Sequence, residues 1–128
     1  MRAVDTNLLV RVLAKDDAKQ EKAALKYIAG GVWVPLVVLA EVIWVMRTVY
    51  GCDRAQLYGF AELLLGHDDL QFENIDVAQR ALDAFKQHRK LNFSDCLVVE
   101  IARKQGHKPL ATFDVALSKI DGAYRVMT

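Results

Sequence analysis

Cysteine and proline are scarce in this chain, with two of each in 128 residues. Cys52 and Cys96 stand outside any CxxC or CxxH context. A chain of this length buries roughly two thirds of its unfolded surface, so it needs no disulfide staple. A disulfide scaffold and a thiolate metal site are thereby excluded, and both cysteines read as reduced, as in the cytoplasm. An excess of charge of one sign is missing too. Seventeen Lys and Arg face sixteen Asp and Glu, a formal net charge of +1, so any case for a polyanionic partner rests on a local patch. Long hydrophobic runs are also lacking. The longest, 32–46, contains Glu41 and falls short of the ~20 residues that span a bilayer. It predicts a buried helix and no membrane association. Asp5 and Arg11 interrupt the first apolar stretch before a signal-peptide core can form. Low-complexity segments, internal repeats and linkers are absent, which predicts a single domain over 1–128.

What is present is an ordinary globular composition, 53% hydrophobic and 26% charged. The first ten residues, MRAVDTNLLV, carry a short apolar run straight into Asp5, Thr6 and Asn7. Residues 2–4 read as a buried strand and 8–14 as a short helix, so these three form a strand-to-helix turn, the usual address of a ligand in a parallel sheet. Asp16 and Asp17 cap a second helix to Ile28, ended by Gly30 and Gly31. Residues 32–34 form a strand, Pro35 takes the first position of a helix over 36–50, and another helix covers 53–66. The alternation over 70–75 predicts a half-exposed strand at a sheet edge. Asp76 caps a helix to Gln87 or His88, and Asn92 to Ser94 begin another that runs to Gly106. A buried strand over 109–113, a short helix from Asp114 to Ile120 and a last strand over 124–127 complete the pattern. Strands separated by helices predict an α/β domain with a largely parallel sheet.

Four carboxylates stand out. Glu41 has Val37, Val38, Trp44 and Val45 at helical spacing, and burying a lone carboxylate is costly. It must therefore be neutralised, paired, turned toward a site that uses its charge, or partly exposed. Asp5, Asp95 and Asp114 each have a good reading as helix-capping or first-turn acids. Jointly the pattern is harder to dismiss, because Asp5 and Asp114 follow predicted parallel strands where an α/β sheet opens its ligand crevice. Converging negative charge calls for a cation, and oxygen ligands without Cys or His favour Mg²⁺ or Mn²⁺. Thr6, Asn7, Ser94 and Thr112 are short polar neighbours suited to orienting these carboxylates or bound water.

Four segments then carry a resemblance: Val4-Asp5-Thr6-Asn7, Glu41 after Val34-Pro35, Phe93-Ser94-Asp95-Cys96-Leu97, and Ala111-Thr112-Phe113-Asp114 leading into Leu117. Their order and spacing resemble a PIN-domain ribonuclease, in particular a VapC-type toxin of a toxin-antitoxin pair. The resemblance implies a three-layer sandwich with a mainly parallel central sheet of about five strands flanked by helices. It also implies a Mg²⁺- or Mn²⁺-dependent endoribonuclease in the cytoplasm, with Asp5, Glu41, Asp95 and Asp114 as catalytic metal site. Asp5 and Asp95 then ligate directly, Glu41 ligates or orients water, and Asp114 ligates or supports. RNA is the implied substrate and a VapB-type antitoxin the implied partner.

Lys86, Arg89, Lys90, Arg103, Lys104 and Lys108 give a local basic excess that reads either as phosphate contacts or as solvated helix ends. The apolar helix around Trp44, with parts of 57–65, reads either as core or as a homodimer or antitoxin interface. His67, His88 and His107 lack ligand spacing. Three other functions remain open: a PIN nuclease of RNA processing, an aspartyl phosphotransferase using Asp5, and a non-catalytic module that holds RNA or protein. Against the second, Asn7 stands two positions after Asp5 and no lysine is placed as a phosphate clamp. Against the third stand the four acids themselves.

Overall fold

A computed structural model describes all 128 residues and divides into two compact units, Met1–Ile75 and Asp76–Thr128.

In the first unit, residues 2–4 lie parallel to β1 (Val32–Val34) through a single bridge, Ala3 to Trp33. Trp33 N donates to the Arg2 carbonyl at 2.8 Å and Val4 N to the Trp33 carbonyl at 3.2 Å. Asp5 then turns the chain directly into α1 (Thr6–Ala14). A left-handed residue, Lys15 at φ 54, ends α1, and Asp17 caps α2 (Ala18–Ile28) by accepting from Gln20 N. Gly30 and Gly31, at φ 88 and 111, deliver the chain into β1 through backbone that β-carbons disfavour. Proline cannot cap α3 (Leu36–Thr48) with a side chain, and the free Leu36 N–H is met instead by Glu73 Oε1 at 2.9 Å. Asp53 and Gln56 form a reciprocal capping box on α4 (Arg54–Leu65). The unit closes with β2 (Leu70–Phe72), parallel to β1 with Val32 opposite Leu70 and Val34 opposite Phe72. α1 packs on α2 and α3, and α3 on α4. Leu9, Val10, Val32, Val34, Leu39 and Val42 are among the most deeply buried side chains of this core.

The second unit holds α5 (Ile75–Gln87, its first residue closing the first unit) and α6 (Phe93–Lys104). Phe85 and Phe93 meet edge to face with centroids 6.0 Å apart. β3 (Leu110–Thr112), α7 (Val115–Ser118) and β4 (Ala123–Arg125) form a compact strand-helix-strand unit whose strands pair in parallel. Arg103 fastens α6 to the turn before β4, binding Glu100 at 3.2 Å and both the side chain and the carbonyl of Asp121. Gly122 lies under that guanidinium, where a β-carbon would stand 2.7 Å from Arg103 Nη2.

The α/β class and the parallel pairing agree with expectation, but the sheet of about five strands does not form. Two separate two-stranded pairs are present. Residues 2–4 are too close to the Asp5 turn to extend a ladder beyond one bridge. The strand expected over 70–75 stops at Phe72, because Asn74 adopts a left-handed conformation at φ 49 and Ile75 already enters α5. Asp76 therefore lies inside the first turn and is no cap. Pro35 occupies the cap position, one residue before its expected place. The last strand lies at 123–125, not 124–127. No helix is long and apolar enough to cross a membrane.

Candidate functional site

Three of the four acids are held at helix N-termini by the chain itself. Asp5 has extended backbone, φ −98 and ψ 179, and its Oδ1 accepts from Leu8 N at 3.0 Å. Asp114 caps α7 in the same way, accepting from Leu117 N at 2.9 Å. Asp95 is the third residue of α6, and its Oδ2 closes a capping box with Asn92 N at 3.4 Å. In each case only one carboxylate oxygen serves the backbone, and the second remains available to a ligand. Capping and ligation are compatible roles for these residues.

Glu41 differs, and of the alternatives its apolar neighbours left open the structure shows exposure. It is exposed on α3, between Val37 and Trp44, which are 64% and 59% exposed. The covered face of α3 is instead Val38, Leu39, Val42, Ile43 and Met46. With the carboxylate in water, no burial penalty demands a partner, and no ion pair holds it.

The polar neighbours divide in a similar way. The Thr112 hydroxyl oxygen accepts from Asp114 N at 3.0 Å and fixes the backbone that carries this carboxylate. Ser94 donates to Asn92 Oδ1 at 2.9 Å, so it steadies the cap of α6 and not Asp95 directly. Thr6 is the first residue of α1, and Asn7 faces a shallow groove of about 350 Å³ between α1 and α2, with Leu8, Arg11, Gln20 and Tyr27.

Asp5 and Glu41 belong to the first unit, on helices that pack together, whereas Asp95 and Asp114 belong to the second. Within neither unit do three or more acidic, histidine or cysteine side chains gather closely enough to hold a metal ion. The donor chemistry nevertheless suits a hard divalent cation, because every donor is a carboxylate oxygen and the three aspartates each keep one free. Competing chemistries lack a site. Cys96 is fully buried, and His67 Nδ1 is used by Asp69 N at 3.1 Å in the turn before β2.

Several polar contacts have no local signature. Arg11 binds Asp16 and the Tyr50 hydroxyl, each at 2.8 Å, and Tyr50 donates to Asp16, so a closed triangle ties the end of α1 to the end of α3. Lys104 reaches Asp76 at 2.6 Å, and this ammonium holds the Asp76 carboxyl below the usual carboxylate range.

Searches of curated proteins and of solved structures gave no significant match. A family profile described as the PIN domain matches residues 2–123. PIN domains are generally metal-dependent nucleases and typically use Mg²⁺ or Mn²⁺. With the match running across nearly the whole chain and through all four acids, the chain belongs to the PIN domain family.

Proposed function

We propose that this chain is a Mg²⁺- or Mn²⁺-dependent endoribonuclease, a single PIN-like domain over 1–128 acting in the cytoplasm as the VapC-type toxin of a toxin-antitoxin pair. The observation that carries the reading is the state of the three aspartates. Asp5, Asp95 and Asp114 are each held by a helix N-terminus with one oxygen spare, within a chain that matches the PIN family.

In this reading Asp5, Glu41, Asp95 and Asp114 supply the carboxylates that hold the cation. When bound, the cation lowers the pKa of attacking water and offsets charge on the leaving oxygen of a phosphodiester. The chain's own contribution is orientation. The Leu8 and Leu117 amides fix the rotamers of Asp5 and Asp114, the Thr112 hydroxyl fixes the Asp114 backbone, and Glu41 orients water or ligates. Of the cations between Lys86 and Lys108, the exposed Lys86, Arg89, Lys90 and Lys108 contact substrate phosphates without reading sequence, while Arg103 and Lys104 are held by Glu100, Asp121 and Asp76. Val37, Trp44 and Val49 on or beside α3 and Leu63 on α4 are large, exposed and apolar. They provide the surface for a homodimer or for a VapB-type antitoxin.

The test is purified protein on a labelled RNA with Mg²⁺, with Mn²⁺ and with EDTA, alongside Asp5→Asn. Cleavage that needs metal and vanishes in the variant supports the reading, and full activity in EDTA refutes it. Induced expression tests the toxin role: growth arrest supports it, whereas metal-dependent cleavage without arrest assigns the chain to RNA processing.

A further inference from the structure

Residues 1–75 contain four lysines, and all four fall between positions 15 and 26. Three of them lie on α2. At 3.6 residues per turn, Lys19, Lys22 and Lys26 share a sector about 60° wide. All three are exposed, and none is in an ion pair. Lys15, in the preceding turn, stands a loose 3.9 Å from Glu21. The nearby acids are engaged elsewhere, Asp16 with Arg11 and Tyr50, and Asp17 with the Gln20 amide. The result is a stripe of positive charge that the fold does not neutralise.

The stripe borders the groove between α1 and α2. Ala23, Tyr27 and Gln20 occupy the next sector of α2 and line that groove, with Asn7 and Arg11 across from them on α1. Asn7 is two residues from Asp5, so the groove starts beside a proposed catalytic acid. Lys19 and Lys26 are separated by about 10 Å along the helix axis. At about 3.4 Å per stacked nucleotide, that distance covers roughly three phosphates. Such a rim attracts a polyanion through its backbone and is indifferent to base identity.

We propose that Lys19, Lys22 and Lys26 of α2 form a backbone track that holds single-stranded RNA along the α1/α2 groove beside Asp5. The identity of the polyanion rests on the ribonuclease reading above.

The test is fluorescence anisotropy of a labelled single-stranded RNA oligonucleotide in EDTA, over a range of salt, with the full chain. The variants are K19Q/K22Q/K26Q and the charge-preserving K19R/K22R/K26R. Both replace exposed lysines by good helix formers, and circular dichroism checks the fold. The glutamine variant is expected to flatten the slope of log affinity against log salt by about 2, from ~0.7 per lost phosphate contact. At 50 mM salt this corresponds to a loss on the order of 100-fold in affinity, with the arginine variant close to wild type. Wild-type affinity and slope in the glutamine variant overturn the proposal, as does an absence of RNA binding by the unmodified chain. RNA binding that survives in the glutamine variant while binding of an oligo-glutamate peptide is lost overturns it in favour of an acidic protein partner. The two readings fail separately. A chain that binds RNA through the stripe but never cleaves it refutes the nuclease and keeps the track, whereas metal-dependent cleavage with binding indifferent to the lysines does the reverse.

Discussion

The helix N-termini of Asp5 and Asp114 and the middle of α3 at Glu41 hold their carboxylates in opposite ways. The two aspartates are pinned by amide donors three residues ahead, Leu8 and Leu117, so their backbone and rotamer are fixed by the same bond that starts the helix. Glu41 has three side-chain torsions in water and nothing to hold it. A cap serves stability and position together, whereas an exposed glutamate on a helix serves neither until a ligand arrives. Glu41 therefore has a functional cause or none, while the aspartates would be selected for folding alone. The asymmetry can be broken by separating activity from stability at each position.

The largest effect is expected on activity. Asp5→Asn keeps an oxygen for the Leu8 amide but removes the charge, and Asn is as good a cap as Asp. Cleavage should fall by more than about 100-fold, taking as a floor the 10- to 100-fold cost of losing an outer-sphere partner of a metal site. The melting temperature should stay near wild type. Unchanged cleavage would return Asp5 to a purely structural role. Next comes stability. Asp114→Ala removes the cap of α7 and should cost about 1 kcal/mol in denaturant unfolding, with Asp114→Asn recovering most of it. Equal stability of the two would mean that the Leu117 bond contributes nothing. At Glu41 the order of effects inverts: Glu41→Gln should change unfolding by less than about 0.5 kcal/mol, as for an unpaired surface residue. Cleavage should nevertheless fall as for Asp5→Asn. A clear loss of stability would show that Glu41 is a structural residue after all.

The same contrast explains what was legible in the sequence. Most caps were legible because a cap is a local event: Asp5, Asp17, Asn92 and Asp114 each sit three residues before the amide they bind, whereas Asp76, read as a cap, lies inside its helix, and the cap at Asp53 was not singled out. The order of strands and helices was legible for the same reason. The exposure of Glu41 was not, since periodicity marks an apolar face but not which apolar neighbours are covered, and Val37 and Trp44 are not. The number of strands in one sheet was not legible either, because ladder length depends on where turns such as Asn74 stop the pairing. Contacts between distant positions, such as Leu36 with Glu73, leave no periodic trace. The lysine spacing of α2 is readable in the sequence, but that these lysines border a groove between α1 and α2 is a tertiary fact with no local trace.

Asp76 supplies the smallest test and a third way of holding an acid. It too lies in a first helical turn, but its main partner is a cation, Lys104 at 2.6 Å, and not a cap bond of its own. That partner holds its pKa below the ordinary aspartate value. A carboxyl depressed on folding adds stability that is present above the unfolded value near 3.9, and loses it as pH falls through the lower folded value. The Asp76 side chain is solvent-exposed, so screening keeps the contribution small. Lys104→Met should therefore raise the Asp76 titration midpoint, read by NMR, back toward the ordinary range while leaving the melting temperature at pH 7 almost unchanged. High salt should produce a weaker shift in the same direction in the unmodified chain. If the midpoint stays low in the variant, the amide donors of the first turn are the dominant cause. Asp76 would then join Asp5 and Asp114 as an acid held by backbone, leaving Glu41 alone on the other side of the comparison.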